Sequence, residues 1–147
     1  MIKKRILVVD DEAGFTKLLR FNLERTGNYE VREENNALRA AQAARIFLPD
    51  LILLDIVMPG MDGGDVVAEL RRHTQTARIP VVMLTALVAR NEISRHSVAE
   101  AGELIMLGKP VDMATLVHCI EEQLYLHGRN KTTEEAPPPP PTEGPQT

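Results

Sequence analysis

The sequence is poor in the residues that support several common kinds of site. Cys119 is the one cysteine among 147 residues, so the chain can form neither an internal disulfide framework nor a cysteine-based metal site. Tryptophan is absent and aromatic residues make up 3% of the chain, which leaves no visible stacking platform for single-stranded nucleic acid. These scarcities exclude functions that depend on disulfides, thiolate-bound metals or base stacking.

Positive charge and long apolar runs are scarce as well. The net charge of −4 and the pI near 5.6 argue against a general nucleic-acid or membrane-surface binder. No apolar run approaches the ~20 residues that a membrane span needs. The N-terminus "MIKKRILVVDDE" reaches acidic residues too soon for a signal peptide. We therefore expect a soluble, cytoplasmic protein with no nucleic-acid or membrane partner.

Short apolar runs alternate regularly with amphipathic stretches. Five runs predict β-strands, namely "RILVVD", "YEVRE", "LILLD", "VVMLT" and "ELIML". The third and fourth runs are apolar throughout, as is typical of parallel strands that are covered on both faces. The second run is polar, so we expect it at an edge of the sheet.

Five helical patterns lie between and after these strands. The last has the clearest apolar stripe, formed by Met113, Leu116, Val117, Ile120 and Leu124. The fourth, at about residues 91–101, has little apolar face and should be loosely held. Alternating β and α units predict an α/β fold, a doubly wound five-stranded parallel sheet with helices on both faces.

The composition changes after Gly128. Residues 129–147 contain a run of five prolines and no large apolar residue, so they cannot bury enough surface to order themselves. We predict a single folded domain at residues 1–128 and a disordered Pro-rich tail at 129–147. The tail is interpreted as a solubilising or linker segment, with a ligand for a proline-recognising partner as the alternative.

Charged and polar residues gather where the predicted strands end. The first strand ends in Asp10 and Asp11, the third in Asp55 and the fourth in Thr85, while Lys109 follows the fifth. In a doubly wound sheet, function gathers outside the carboxyl ends of the strands. Two adjacent carboxylates after a buried strand repel each other, unless a cation lies between them or they point separately into solvent.

These residues stand in four motifs, "VVDDE", "LLDIVMPGMDG", "LTA" and "KP", which occur in this order. The set resembles the receiver domain of two-component response regulators, over residues 3 to about 127. Each motif alone is a weak signal, but all four in order, each at a strand end, are a strong one. The resemblance implies a flavodoxin-like strand order 2-1-3-4-5 with five helices.

The resemblance also implies a phosphorylation site and a metal site. Asp55 would accept a phosphoryl group from a histidine kinase or a histidine phosphotransfer protein, which forms an acyl phosphate. A Mg²⁺ ion would be held by Asp10, Asp11, Asp55 and the backbone carbonyl of Val57. On this interpretation, Asp10 and Asp11 are adjacent because they bind the metal.

Two further residues take roles by the same resemblance. Lys109 would pair with a phosphoryl oxygen, or with Asp55 when no phosphate is present, and its bond to Pro110 would be cis. Thr85 would form a hydrogen bond to the phosphoryl group. Met106 departs from the family, which commonly has an aromatic residue three positions before the lysine. That departure puts in question the coupling between phosphorylation and the distant surface.

The predicted function is that of a stand-alone phosphoacceptor signalling protein, which catalyses only its own phosphorylation and dephosphorylation. We expect it to act by contact with an unknown downstream protein, as a monomer or weak homodimer. The alternative is a phosphorylation-independent scaffold, which Met106 favours and the intact acid set opposes. A phosphatase with an aspartyl nucleophile would need a second acid where Val57 stands, and a dinucleotide site would need glycines where "DDEAG" stands.

Overall fold

The computed structural model describes residues 2–86, 105–109 and 111–135, with side chains as far as residue 128. Its strands are β1 (Lys4–Val9), β2 (Tyr29–Glu34), β3 (Leu51–Asp55), β4 (Val81–Thr85) and β5 (Ile105–Gly108). Its helices are α1 (Ala13–Arg25), α2 (Ala40–Phe47), α3 (Gly63–Arg71) and α4 (Met113–Glu135), with a 3₁₀ turn at Ala37–Arg39.

All five strands pair in parallel in one sheet, in the order β2-β1-β3-β4-β5. The predicted sheet and strand order are confirmed, and the polar strand β2 lies at an edge. From β1 the chain first moves outwards to β2 and then crosses to β3 on the other side of β1. This reversal opens a crevice at the carboxyl ends of β1 and β3, where ligands bind in folds of this kind.

Two apolar layers cover the sheet, one on each face. Along β1, Leu7 and Val9 point into the layer that includes α2 and α3, whereas Ile6 and Val8 point into the layer that includes α1 and α4. The residues of β3 and β4 are buried throughout, as their unbroken apolar sequences predict. Burying one Leu or Ile side chain stabilises the fold by about 1.5–3 kcal/mol. The buried residues of these central strands therefore contribute much of the stability of the sheet.

The described residues form four of the five predicted α-helices. The predicted helix at residues 91–101 lies outside the described ranges, so a count of five remains a prediction. Within those ranges, no helix combines the length and the apolar character needed to cross a bilayer.

Helix α4 extends beyond the domain boundary that the sequence predicts at residue 128. It continues through residues 129–135, although the sequence predicts disorder there. Gly128 lowers helix stability without ending the helix. The first residue that must end it is Pro137, because proline disfavours helical geometry in the residue before it. The disordered tail remains a prediction for residues 136–147, which lie outside the described part.

Helix α3 begins directly against the backbone of β3. Gly63, its first residue, donates from its backbone N–H to the carbonyl of Ile56 at 2.7 Å. A Cβ atom at Gly63 would lie 2.8 Å from the carbonyl oxygen of Asp55 and 2.9 Å from the Cα of Ile56. Asp62 and Asp65 form a reciprocal capping box that fixes the start of the helix. Only glycine permits this close approach.

We predict that Gly63→Ala lowers the free energy of unfolding by about 1–3 kcal/mol, because its methyl group must displace backbone atoms. Urea denaturation measures the change. Gly14→Ala is the matched control, since a Cβ built at Gly14 in α1 has no atom within 4 Å apart from its chain neighbours and the backbone of its own helix. That variant should leave the stability unchanged or raise it by up to about 1 kcal/mol. Equal effects of the two substitutions would contradict the close packing described for Gly63.

Candidate functional site

The carboxyl ends of β1 and β3 bring three carboxylates together. Asp10 follows β1, where its N–H donates to the carbonyl of Glu34 at 3.1 Å, and Asp55 is the last residue of β3. One oxygen each of Asp10, Asp11 and Asp55 lies within 4.8 Å of the others. Asp10 is 1% exposed and Asp55 is 7% exposed, whereas Asp11 faces solvent. The structure thus brings together the three acidic residues that the sequence predicts as a cluster.

Lys109 reaches this cluster from the end of β5. The strand register pairs Thr85 with Gly108, and the N–H of Lys109 donates to the carbonyl of Thr85 at 2.8 Å. Its Nζ lies 2.6 Å from Oδ2 of Asp10 and 3.7 Å from Oδ1 of Asp55. The sequence predicts a pair with Asp55, but the ammonium group is closer to Asp10. One positive charge on a largely buried side chain therefore offsets part of the repulsion among the carboxylates.

Asp10 is held by a hydrogen-bond network that the sequence does not reveal. Its Oδ1 accepts from the backbone N–H of Glu12 at 2.9 Å. The side-chain amide of Asn35 donates to the carbonyl of Asp10 at 2.8 Å and to the hydroxyl of Thr16 at 2.9 Å. The hydroxyl of Thr16 donates to Glu33 at 2.8 Å. Helix α1 and the end of β2 thus fix the backbone at the first metal-ligand candidate.

One sequence signal could have suggested this network. Thr16, Leu19 and Leu23 are the buried residues of α1 and lie at helical spacing, so a hydroxyl occupies one position of an apolar stripe. A buried hydroxyl needs a hydrogen-bond partner. Nothing in the sequence identifies Asn35 as that partner, because the contact joins two elements that are distant along the chain.

The surroundings of Asp55 disfavour its charged form. Burial raises the pKa of the Asp55 carboxyl above its usual value, and the negative charges of Asp10 and Asp11 raise it further. The positive charge of Lys109 and a hydrogen bond from the backbone of Val57 lower the pKa, but they do not cancel the rise. Burial and the neighbouring carboxylates together therefore disfavour the ionised form of Asp55.

The other predicted site residues lie near this cluster or outside the described part. Thr85 is fully buried at the end of β4, where its neighbour Leu84 pairs with Asp55 of β3. Val57 is about half exposed, and a metal contact of its carbonyl remains a prediction. Met106 pairs with Met83 and packs against the layer of α2 and α3. Pro110 is outside the described residues, so the cis peptide bond is not tested.

The donor set suits a small, hard cation. Three carboxylates offer oxygen ligands from a rigid sheet edge, and Mg²⁺ is bound in proteins by one or two carboxylates together with water or phosphate oxygens. The exposed side of Asp11 leaves the cluster open to solvent. The residues present therefore fit a Mg²⁺ ion.

The family follows from a comparison with known sequences. A family model described as "Response regulator receiver domain" matches residues 6–121. The chain belongs to this family. It is 43% identical to the response regulator PleD of Caulobacter vibrioides over 108 residues, which are 74% of this chain and 23% of that protein. It is 33% identical to the phosphate regulon transcriptional regulatory protein PhoB of Rhizobium meliloti over 120 residues, which are 82% of this chain and 52% of that protein.

Solved structures with this fold match most of the receiver. A response regulator from Desulfuromonas acetoxidans superposes with a TM-score of 0.71 at 26% identity, covering 84% of this chain and 98% of that one. The receiver domain of the sensor histidine kinase PA1611 from Pseudomonas aeruginosa gives a TM-score of 0.71 at 26% identity, covering 84% and 99%. That structure has a magnesium ion coordinated in its active-site cleft. By contrast, the chain spans only 23–52% of the two curated relatives named above.

We predict that Asp55→Asn stabilises the metal-free protein at pH 7, because it removes a carboxylate whose ionised form is disfavoured in the fold. A carboxyl whose pKa is raised in the folded state binds its proton more tightly there than in the unfolded state. The contribution of Asp55 to the free energy of unfolding therefore rises as the pH falls through the raised pKa. The difference in free energy of unfolding between Asp55→Asn and the wild type becomes smaller as a result. Urea denaturation in EDTA at pH 7 and pH 4 measures both proteins. A stability difference independent of pH would contradict the shift described for Asp55.

Proposed function

We propose that the protein is a phosphoacceptor, which receives a phosphoryl group on Asp55 from a histidine kinase or a histidine phosphotransfer protein. The observation that carries the proposal is the convergence of four charged groups in the crevice at the carboxyl ends of β1 and β3. Asp55 lies there beside two further carboxylates and the Lys109 ammonium group. Membership of the receiver family supports it. Receivers are signalling proteins, so we propose that the phosphorylated chain acts by contact with another protein.

The transfer step needs a nucleophile and a way to neutralise charge. An oxygen of the Asp55 carboxylate attacks phosphorus, the P–N bond of the phosphohistidine breaks, and its electron pair remains on the imidazole nitrogen. A bound Mg²⁺ would neutralise charge on the phosphoryl oxygens. Asp10 and Asp11 would hold that ion, as the magnesium in the related PA1611 receiver supports. Lys109 supplies a second positive charge 3.7 Å from the acceptor carboxylate.

The positions of the other residues suit a protein that changes state when phosphorylated. Thr85 lies one residue beyond the partner of Asp55 in the register of β3 and β4, and its hydroxyl would bind the new phosphoryl group. A contact that forms only after phosphorylation stabilises one state selectively. The chain carries Met106 at the position of the usual aromatic residue, which favours a second candidate function, a receiver fold that acts as a scaffold without phosphorylation.

The first test is the intact mass of the protein after incubation with acetyl phosphate, with and without Mg²⁺. We predict a Mg²⁺-dependent gain of one phosphoryl group in the wild type and none in Asp55→Asn. Asp62→Asn is the matched control, because its carboxylate caps α3 and is not part of the acidic cluster. It should be phosphorylated as the wild type is.

Two results would count against phosphorylation of Asp55. A mass gain that persists in Asp55→Asn would place the phosphoryl group on another residue. No gain in any protein, together with no binding of Mg²⁺, would favour the scaffold function. With that result, phosphotransfer from a histidine kinase to this chain is not expected.

A further inference from the structure

Strand β2 ends at Glu34, beside the point where β1 leads into the acidic cluster. The N–H of Asp10 still donates to the carbonyl of Glu34 at 3.1 Å. In a parallel ladder, the carbonyl of Asp10 would next accept from the N–H of Asn36. That N–H donates instead to the side chain of Glu34 at 3.0 Å. The side-chain amide of Asn35 replaces it and donates to the Asp10 carbonyl at 2.8 Å, so a side chain continues the ladder by one hydrogen bond.

We propose that Asn35 is a positioning residue, whose amide holds the peptide between Asp10 and Asp11 and so presents the Asp11 carboxylate to a bound metal ion. The inference rests on the proposed function, because it concerns the metal site of the acidic cluster. It adds a residue that offers no ligand to the ion but controls the direction of one ligand.

The position of Asp11 depends on its backbone, because its side chain faces solvent. The carbonyl of Asp10 and the N–H of Asp11 belong to one planar peptide, so the hydrogen bond from Asn35 fixes the peptide before Asp11. The peptide after Asp11 is fixed as well, since the N–H of Glu12 donates to Oδ1 of Asp10 at 2.9 Å. Without the first of these bonds the Asp11 carboxylate would take several directions, and binding of an ion would have to restrict them at a cost in entropy.

The orientation of the Asn35 amide is determined by its partners. A carbonyl oxygen can only accept, so the group 2.8 Å from the Asp10 carbonyl is the NH₂. The same NH₂ donates to the hydroxyl oxygen of Thr16 at 2.9 Å. That hydroxyl has one proton and two acceptors, the Glu33 carboxylate at 2.8 Å and the Ala13 carbonyl at 3.0 Å. The proton goes to Glu33, because a charged acceptor forms the stronger bond.

Burial and charge keep this arrangement in place. Thr16 is fully buried, and the side chain of Glu33 is 18% exposed. A guanidinium nitrogen of Arg20 lies 3.4 Å from the second oxygen of Glu33 and offsets its charge. The network thus leads from an ion pair at the surface, through a buried hydroxyl, to the amide that holds the Asp10 carbonyl.

The test is the dissociation constant for Mg²⁺ of the full chain, measured by calorimetry on Asn35→Asp. A carboxylate has the shape of the amide but no proton to donate, so it would repel the Asp10 carbonyl. It also adds a negative charge near a cation site, and that charge alone would tighten binding. Positioning and charge therefore act in opposite directions. We expect Mg²⁺ to bind about tenfold more weakly, as when a partner that orients a metal ligand is lost.

Asn36→Asp is the matched control. It adds the same charge one residue further along the chain, and its carboxylate can still accept from the N–H of Leu38, as Asn36 does at 3.0 Å. It should bind Mg²⁺ as the wild type does, or up to about threefold more tightly.

Substitutions of Thr16 test the same network from its buried end. Thr16→Val removes the hydroxyl that holds the amide and should weaken Mg²⁺ binding about threefold. Thr16→Ser keeps the hydroxyl and should keep the wild-type affinity. Urea denaturation in EDTA verifies that each variant is folded, so that a change in affinity is not a loss of the fold.

The outcomes separate this inference from the proposed function. Asn35→Asp with wild-type or tighter affinity overturns the positioning role, as do equal effects of Asn35→Asp and Asn36→Asp. Asn35→Ala removes the donor without adding charge, and it repeats the test if the first variant does not fold. If the wild type does not bind Mg²⁺, or if Asp11→Asn binds it as tightly as the wild type, the metal site of the proposed function fails and this inference fails with it.

Discussion

The repulsion among three carboxylates, and its partial relief by one lysine, is the constraint on which this site depends. The order of the strands places the ends of β1 and β3 side by side, so Asp10 and Asp55 cannot move apart without breaking the sheet. The compensating charge comes from Lys109, ninety-nine residues after Asp10 in the chain. Pairing of β5 with β4 therefore completes the sheet and also brings the Lys109 ammonium group to the site. Burial, together with the charges of Asp10 and Asp11, still raises the pKa of the Asp55 carboxyl despite this lysine.

Much of the fold could be predicted because parallel strands leave simple patterns. The unbroken apolar run of β3 indicates a strand buried on both faces, and the polar run of β2 indicates an edge. The residues that follow such strands must meet at one edge of the sheet, so the joint placement of Asp10, Asp55 and Lys109 could be predicted without coordinates. The resemblance of the motifs that contain these residues to those of receiver domains predicts the same cluster.

The remaining features depend on contacts that no sequence pattern encodes. The preference of Lys109 for Asp10 over Asp55 is a difference of about an ångström between two distances, 2.6 and 3.7 Å. Phe15 fits the apolar pattern of α1, and only the structure places its ring beside an ammonium group. Composition predicts disorder for the polar residues 129–135, whereas a helix whose earlier turns pack against the sheet can continue until proline stops it.

The contact of Gly63 with β3 has a consequence for how the surface of this protein can diversify. The backbone at Asp55 and Ile56 packs against the backbone of the first turn of α3 rather than against particular side chains of that helix. An exposed position of that helix, Ala68, can therefore change its chemistry without moving Asp55. A single scaffold can in this way acquire new binding partners on one flank of the cleft while the acidic cluster beside it stays the same.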